Sequence, residues 1–393
     1  MKVLEGIKVL DFGRFIAGPF CAALLADYGA DVIRIDRVGG GEDRYIVPVT
    51  EQGDGALFLQ INRNKRSMTL DVNSPEGREI VRKLVLGTDV VVANMPPRTL
   101  QSLGLDYAAL CRIKPDIILV ASNAFGDAAA VRDRVGFDGV GQALSGAVHI
   151  AGTPEQPQKA MVPVVDFSTA FACALGVMLA LYERQRSGLG QEVGASLLCT
   201  GLNMASGALI EEALLGLDRQ ATLNRASSYA PSDIFKATDG WFITQVISRP
   251  MFKRWTQLVG RPELLDDPRF ADDTLRGRNG EFLSNVMSAW CKEKTLAEAL
   301  AALEQARIPA SPVNSPRQVL QDETVRAADL IHWMDYPGAP KKVPIFATPV
   351  SLSRTPPEIR QRPPLTGEHT DEILAELGMD AGTISRLREC QVV

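Results

Sequence analysis

Between Ile7 and Ala121 the chain alternates short β-rich runs with helical ones, and this alternation restricts its fold more than any other feature. Ile7 to Phe12 is β-rich, Pro19 to Tyr28 is helical, and Asp31 to Ile35 is β-rich again, which makes a βαβ unit. The pattern continues with Gly77 to Leu86 as helix, Asp89 to Ala93 as strand, Tyr107 to Ile113 as helix and Asp116 to Ala121 as strand. It predicts a parallel sheet covered by helices, with ligands at the carboxyl ends of its strands.

The usual nucleotide signatures do not accompany that pattern. After the first strand the chain reads Gly13-Arg14-Phe15-Ile16-Ala17-Gly18-Pro19, which does not fit the dinucleotide fingerprint. No phosphate-loop motif and no Gly-x-Ser-x-Gly elbow occur, so NAD enzymes, P-loop NTPases and the simplest serine hydrolases are disfavoured.

A second region follows the helical stretch Leu197 to Leu217. Two strand-like runs flank Thr238-Asp239-Gly240, where Asp-Gly signals a hairpin turn, and helical segments follow near Met251 to Val259, Asn279 to Lys292 and Leu296 to Ala306. At 393 residues the chain has room for two domains of about 100–200 residues each. The expected division is a large α/β domain over 1–200, a small α+β domain over 225–321, and a C-terminal segment over 330–393 that returns to the large domain. The proline-rich stretch Pro337 to Pro364 is too regular around Val343-Pro344-Ile345-Phe346 to be plain linker, and a last helix is expected over Asp371 to Leu377.

A formal charge of −5 argues against nucleic acid as the main partner. The start, Met1-Lys2-Val3-Leu4-Glu5-Gly6, lacks a signal-peptide core, and the apolar run Ala170 to Tyr182 falls short of a membrane span of about 20 residues. The expected location is the cytoplasm, with no membrane partner. Six scattered cysteines suggest reduced, mostly buried thiols, and His149, His332 and His369 are too dispersed for a zinc site, so no metal is expected.

Asp166 is the one charge in Met161-Val162-Pro163-Val164-Val165-Asp166-Phe167, and it opens an apolar helix that runs to basic Arg184 and Arg186 ahead of Gly188. On position alone it is an N-cap, accepting bonds from the first-turn amides. The same amides would hold the carboxylate ionised, as covalent catalysis by aspartate requires.

Several segments, in order, carry a resemblance: Gly6-Ile7-Lys8-Val9-Leu10-Asp11-Phe12 with Ala17-Gly18-Pro19; Gly29-Ala30-Asp31-Val32-Ile33-Arg34-Ile35-Asp36-Arg37; Asn62-Arg63-Asn64-Lys65-Arg66-Ser67; Gln142-Ala143-Leu144-Ser145-Gly146; the Asp166 helix; and Leu365-Thr366-Gly367-Glu368-His369-Thr370. Together they resemble the family III CoA-transferases, which include formyl-CoA and carnitine CoA-transferases and the related α-methylacyl-CoA racemases.

The resemblance implies a large Rossmann-like parallel-sheet domain with a smaller α+β domain, assembled as an interlocked homodimer. It also implies a CoA-transferase that passes CoA from an acyl-CoA to a carboxylic acid, with CoA as substrate and no tightly bound cofactor. Asp166 stands at the place of the nucleophile that forms a mixed anhydride and then an aspartyl-CoA thioester. By family position CoA would be held by Ala17, Arg37, the run Leu70, Asp71, Val72 and Asn73, the run Asn94, Met95 and Pro96, and the run Val135, Gly136, Phe137 and Asp138.

Other readings stay open from sequence. Arg37 beside Gly39-Gly40-Gly41 could be a solvated charge, and the Asn62 to Arg66 cluster either a phosphate patch or a solvated turn. An acyl-CoA racemase or isomerase is one alternative function, and a CoA-binding protein without turnover another. Phe137 stands where racemases carry a histidine, and it has no exchangeable proton. Ser227-Ser228-Tyr229-Ala230-Pro231 replaces the glycine run of formyl-CoA transferases and Ile16 their glutamine, which argues against a formyl or oxalyl substrate. His369 is expected to cap the helix that follows it.

Overall fold

The computed structural model describes residues 2–393, which fall into two compact units. One is built from Met1–Ser145, Ala160–Ala208 and Ala328–Val393, the other from Gly146–Lys159 and Leu209–Ala327.

The first unit holds a six-stranded sheet of β1 (Lys8–Asp11), β2 (Asp31–Asp36), β3 (Lys65–Thr69), β4 (Val90–Ala93), β5 (Ile118–Asn123) and β6 (Glu192–Ser196). Its order is β3-β2-β1-β4-β5-β6, and every pairing is parallel. The expected α/β class with a large parallel sheet is borne out. Each connection between parallel neighbours needs a crossover, supplied here by α1 (Ala17–Asp27), α2 (Ala56–Ile61), α3 (Pro75–Leu86), α4 (Pro97–Leu103), α5 (Tyr107–Ile113), α6 (Asp138–Leu144) and α7 (Val164–Ser187).

Side chains alternate between the two faces of the sheet. Leu10, Ile33, Ile35, Val91 and Leu119 enter one buried cluster, while Val9, Val32, Val90, Val92, Ile118 and Val120 enter the other with residues of α1 and α7. Both faces are thus covered, and burying each of these side chains contributes about 1.5–3 kcal/mol. Helix boundaries follow ordinary capping chemistry: Ser74 accepts from Gly77 N–H and Pro75 opens α3, while Gly188 ends α7 in the left-handed region at φ 74°.

Helix α7 has 24 residues and is long and apolar enough, by length and composition, to cross a membrane. The shorter apolar run expected from sequence therefore understated it. One face, including Val165, Ala170, Cys173 and Val177, is buried, whereas Phe171, Leu175, Leu179 and Tyr182 are exposed. The helical stretch after β6 is two helices, α8 (Leu197–Met204) and Ser206–Leu215.

The returning segment adds the antiparallel pair Ile331–Met334 and Val343–Phe346, then the helices Thr370–Glu376 and Ala381–Glu389. His369 occupies the N-cap position, but its side chain makes no capping bond. Instead Nδ1 accepts from Ser67 N–H at 3.3 Å, tying the segment to the edge of β3.

In the second unit the strands Ser232–Lys236, Trp241–Gln245 and Ala310–Pro312 form an antiparallel sheet packed on the helices Arg249–Leu258, Gly280–Cys291 and Leu296–Gln305. The Asp239-Gly240 hairpin forms, but neither residue has positive φ, so it is not the tight primed turn. Asp239 accepts from Leu296 N–H at 2.7 Å, which fixes a wider loop. All six cysteines are free; Cys21, Cys173 and Cys291 are buried, Cys111 is half-buried, and Cys199 and Cys390 are exposed.

Candidate active site

Asp166 sits in the first turn of α7 without capping it. The cap is Asp138, from the first turn of α6, whose Oδ1 accepts from Val165 N–H at 2.8 Å and Asp166 N–H at 3.1 Å. Val164 N–H is taken by Val162 C=O and Phe167 N–H by Pro163 C=O, so the first-turn donors are occupied. Gln142 in turn donates to Asp138 Oδ2, and its Oε1 accepts from Ala160 N–H at 2.8 Å, holding the capping carboxylate in place.

The Asp166 carboxyl is thereby left half-buried beside a second acid. Burial first, then the Asp138 charge, push its pKa up to about 7. The expectation of a carboxylate held fully ionised by first-turn amides is overturned, because those amides already serve other acceptors.

Asp166 lines a cavity of about 910 Å³ at the carboxyl ends of the strands. The sheet order reverses between β1 and β4, where parallel α/β sheets bind ligands. The loops after these strands are clasped there: Arg14 N–H donates to Asn94 Oδ1 and Asn94 Nδ2 donates to Arg14 C=O, both at 2.6 Å. A Cβ at Gly18 would stand 3.1 Å from that Asn94 oxygen and 3.0 Å from Gly13 Cα, which explains glycine at this close approach.

The cavity wall brings together Ala17, Arg37, Leu70, Asp71, Val72, Asn73, Asn94, Met95, Pro96, Val135, Gly136, Phe137 and Asp166. Asp138 is buried behind them and serves the cap. Phe137 is 55% exposed and meets the Phe15 ring edge-on at 5.2 Å. Arg37 follows β2, its side chain 68% exposed and only loosely paired with Glu42 at 3.4 Å.

The Asn62 to Arg66 cluster is neither a solvated turn nor a phosphate patch. Asn62, Arg63, Asn64 and Lys65 are buried, and Lys65 Nζ donates to Asp11 Oδ2, Pro19 C=O and Asn62 Oδ1. Arg63 clamps Asp27, with its closest contact at 2.6 Å, and Arg34 joins Asp36 to Asp43. These ions fix the strand ends that carry the cavity loops.

Arg14, Phe15, Asn123, Arg134 and Gln391 also line the cavity but were not singled out from sequence. Arg14 and Phe15 lie in the loop after the first strand, so the rule that ligands bind at strand ends could have marked them. Arg134, beside the Val135 to Asp138 run, carried no local signal. No cluster of three or more His, Cys, Asp or Glu residues suited to a metal ion occurs among the described residues.

Residues 4–370 match the family described as CoA-transferase family III. A succinyl-CoA–D-citramalate CoA-transferase of Chloroflexus aurantiacus is 32% identical, covering 100% of this chain and 98% of that one. A succinyl-CoA:glutarate CoA-transferase of Mus musculus is 32% identical over 98% of this chain and 89% of its own length. Among solved structures, a CaiB/BaiF family protein from Brucella suis aligns with a TM-score of 0.83 and 31% identity, covering 96% of this chain and 99% of that one.

Proposed function

From the premise that this chain belongs to CoA-transferase family III, we propose that it moves CoA from a succinyl-type acyl-CoA to a free carboxylic acid, with Asp166 as the covalent nucleophile. The observation that carries this reading is Asp166 itself: a half-buried carboxyl lining the cavity, with the helix amides beside it already occupied.

In this mechanism an Asp166 oxygen attacks the thioester carbonyl carbon, the C–S bond breaks, and CoA leaves as thiolate from an acyl-aspartyl anhydride. The thiolate then attacks the Asp166 side-chain carbonyl, releasing the donor acid and leaving an aspartyl-CoA thioester. The acceptor carboxylate attacks that thioester, a second anhydride forms, and the returning thiolate takes up the new acyl group and frees Asp166. Anhydride and thioester are both activated acyl groups, so each step is reversible and needs no ATP. The covalent relay replaces one difficult exchange by easier ones.

A pKa near 7 suits this duty. At neutral pH a large share of Asp166 is ionised for attack, and such a carboxylate is more basic than an ordinary aspartate. Phe137 in the cavity wall supports transfer over racemisation, since proton exchange at a thioester α-carbon requires a titratable group on each face. A 2-methylacyl-CoA incubated with the protein in deuterium oxide should therefore gain no α-deuterium at a rate comparable to CoA exchange.

We also infer a homodimer, supported by the exposed apolar face of α7 at Phe171, Leu175, Leu179 and Tyr182, and a cytoplasmic location. The decisive experiment mixes the protein with pairs of acyl-CoA and acid and follows new CoA thioesters by mass spectrometry. Exchange should occur with wild type and be abolished in Asp166→Asn, and hydroxylamine should trap a hydroxamate at Asp166. A variant at Asp166 with near-wild-type turnover would overturn the assignment.

A further inference from the structure

Arg134 has a position the proposed chemistry has not yet used. Its guanidinium lies over the Phe125 ring, 4.4 Å from the centroid, and its side chain lines the cavity. The neighbouring arginines are committed elsewhere: Arg98 pairs with Asp133 at 3.0 Å, and Arg132 reaches the same carboxylate at 4.0 Å. Arg134 has no ion pair and no side-chain hydrogen bond among the described residues, so its donors remain available.

Location decides what those donors meet. Phe125 follows β5 and packs in one buried cluster with Val165, the neighbour of Asp166. Its backbone is fixed by Asn123 Oδ1, which accepts from Phe125 N–H at 3.1 Å and Gly126 N–H at 2.5 Å. Arg37 follows β2, three strands away across the order β2-β1-β4-β5, a separation of roughly 14 Å at the usual strand spacing. One exposed cation thus follows β2, and a second lies over a ring that shares a buried cluster with the neighbour of the nucleophile. Of the cavity's other charges, Arg14 donates to Ile35 C=O and Gly13 C=O, and Glu42 and Asp71 lie with the β2 and β3 ends.

Resting on the CoA-transferase reading above, we propose that Arg134 is a specificity-determining residue that binds the distal carboxylate of a dicarboxylic substrate. A short dicarboxylic acid held as a monothioester presents its reacting carbonyl to Asp166 and keeps one charged carboxylate a few bonds beyond. That carboxylate requires a cation, and Arg134, lying over the ring that clusters with Val165, supplies one. Its planar fork matches a carboxylate with two parallel hydrogen bonds, and the Phe125 ring restrains the guanidinium before substrate arrives.

The test compares two donor–acceptor pairs matched in carbon number: succinyl-CoA with glutarate, and butyryl-CoA with pentanoate. For wild type, Arg134→Lys and Arg134→Ala, kcat/KM is measured for each acid. Arg134→Ala should lower the ratio of dicarboxylate to monocarboxylate kcat/KM about 10- to 100-fold, mainly through the KM of the diacid. Arg134→Lys should fall between, since it keeps the charge without the fork. Should Arg134→Ala melt early, Arg134→Gln keeps bulk over Phe125 and must give the same change of ratio. Equal losses with both pairs would assign Arg134 to CoA itself and overturn the proposal, as would an unmoved ratio or a wild type that prefers monocarboxylates. A wild type that exchanges CoA with no acid at all would instead overturn the transferase reading on which the proposal rests.

Discussion

Asp138 caps the helix that carries Asp166 in its first turn, with Asp138 Oδ1 3.1 Å from the Asp166 amide nitrogen. The carboxyl that caps the helix therefore also raises the proton affinity of the carboxyl proposed to react.

A direct consequence is the acidic limb of the pH profile. Only ionised Asp166 attacks, so kcat/KM for release of CoA from the donor should climb as pH rises through about 7. Asp138→Asn keeps an acceptor oxygen for Val165 and Asp166 N–H but removes the charge. Its limb should move to lower pH without reaching the ordinary aspartate range, because burial is the larger cause. Rapid-quench assays of the first half-reaction between pH 5 and 9 would measure both, and an unmoved limb in Asp138→Asn would refute the coupling.

Stability should carry the same signature with the opposite slope. A carboxyl whose folded pKa is raised binds more protons in the folded than in the unfolded state between about 4 and 7. Its contribution is therefore most favourable below pH 4 and is lost as pH climbs through 7. Asp166→Asn removes that penalty, so its Tm should exceed that of wild type by a few degrees at pH 8 and converge with it near pH 4. Calorimetric scans at the two pH values test this, and a constant offset would contradict it.

Lys65 offers a test of the buried ions. Burial lowers its pKa to about 8 although Asp11 lies 2.7 Å away. Lys65→Met leaves the Asp11 charge without its partner and should cost about 3–5 kcal/mol in urea unfolding. Adding Asp11→Asn, which can still accept from Gly13 N–H, should restore part of the loss. If the double variant is as unstable as the sum of the singles, the pair is not coupled.

In the same cavity wall, Arg37 is expected to hold a phosphate of CoA. Because it is exposed and only loosely held by Glu42, Arg37→Ala should weaken CoA about 10-fold, the low end for a charge-assisted contact. Glu42→Gln should tighten CoA slightly by freeing the guanidinium. Calorimetric titration with CoA and 3′-dephospho-CoA locates the contact: a smaller loss with the latter points to the 3′-phosphate, equal losses to the diphosphate. No loss with either would return Arg37 to solvent.

Much of the sheet was legible because β1, β2, β4 and β5 carry apolar β-formers such as Val9, Leu10, Val32, Ile33, Ile35, Val90 to Val92 and Ile118 to Val120. Strand β3, Lys-Arg-Ser-Met-Thr, was not, since its Lys65 enters an ion network whose partners Asp11 and Asn62 come from the end of β1 and the end of α2. Strand β6, with Gly194 at its centre, joins only at the sheet edge next to β5. At the site, Asp166 stood out as a lone charge in an apolar run, whereas the capping role of Asp138 depends on a contact 28 positions away. Arg134 had no periodic or capping signal, because its meaning comes from Phe125 and from the order of the strands.

The segment that returns to the sheet does so through polar contacts remote in sequence. Asn64 donates to Glu358 C=O, 294 positions later, and Arg44 donates to Pro364 C=O, 320 positions later. Neither buried side chain finds these acceptors until almost the entire chain is present. The sheet unit should therefore assemble slowly, as high contact order dictates, and an excised piece holding β1 to β6 alone would expose these donors. It is a poor module for transplantation, and attempts to minimise this enzyme by trimming from its far end should yield aggregates rather than a smaller catalyst.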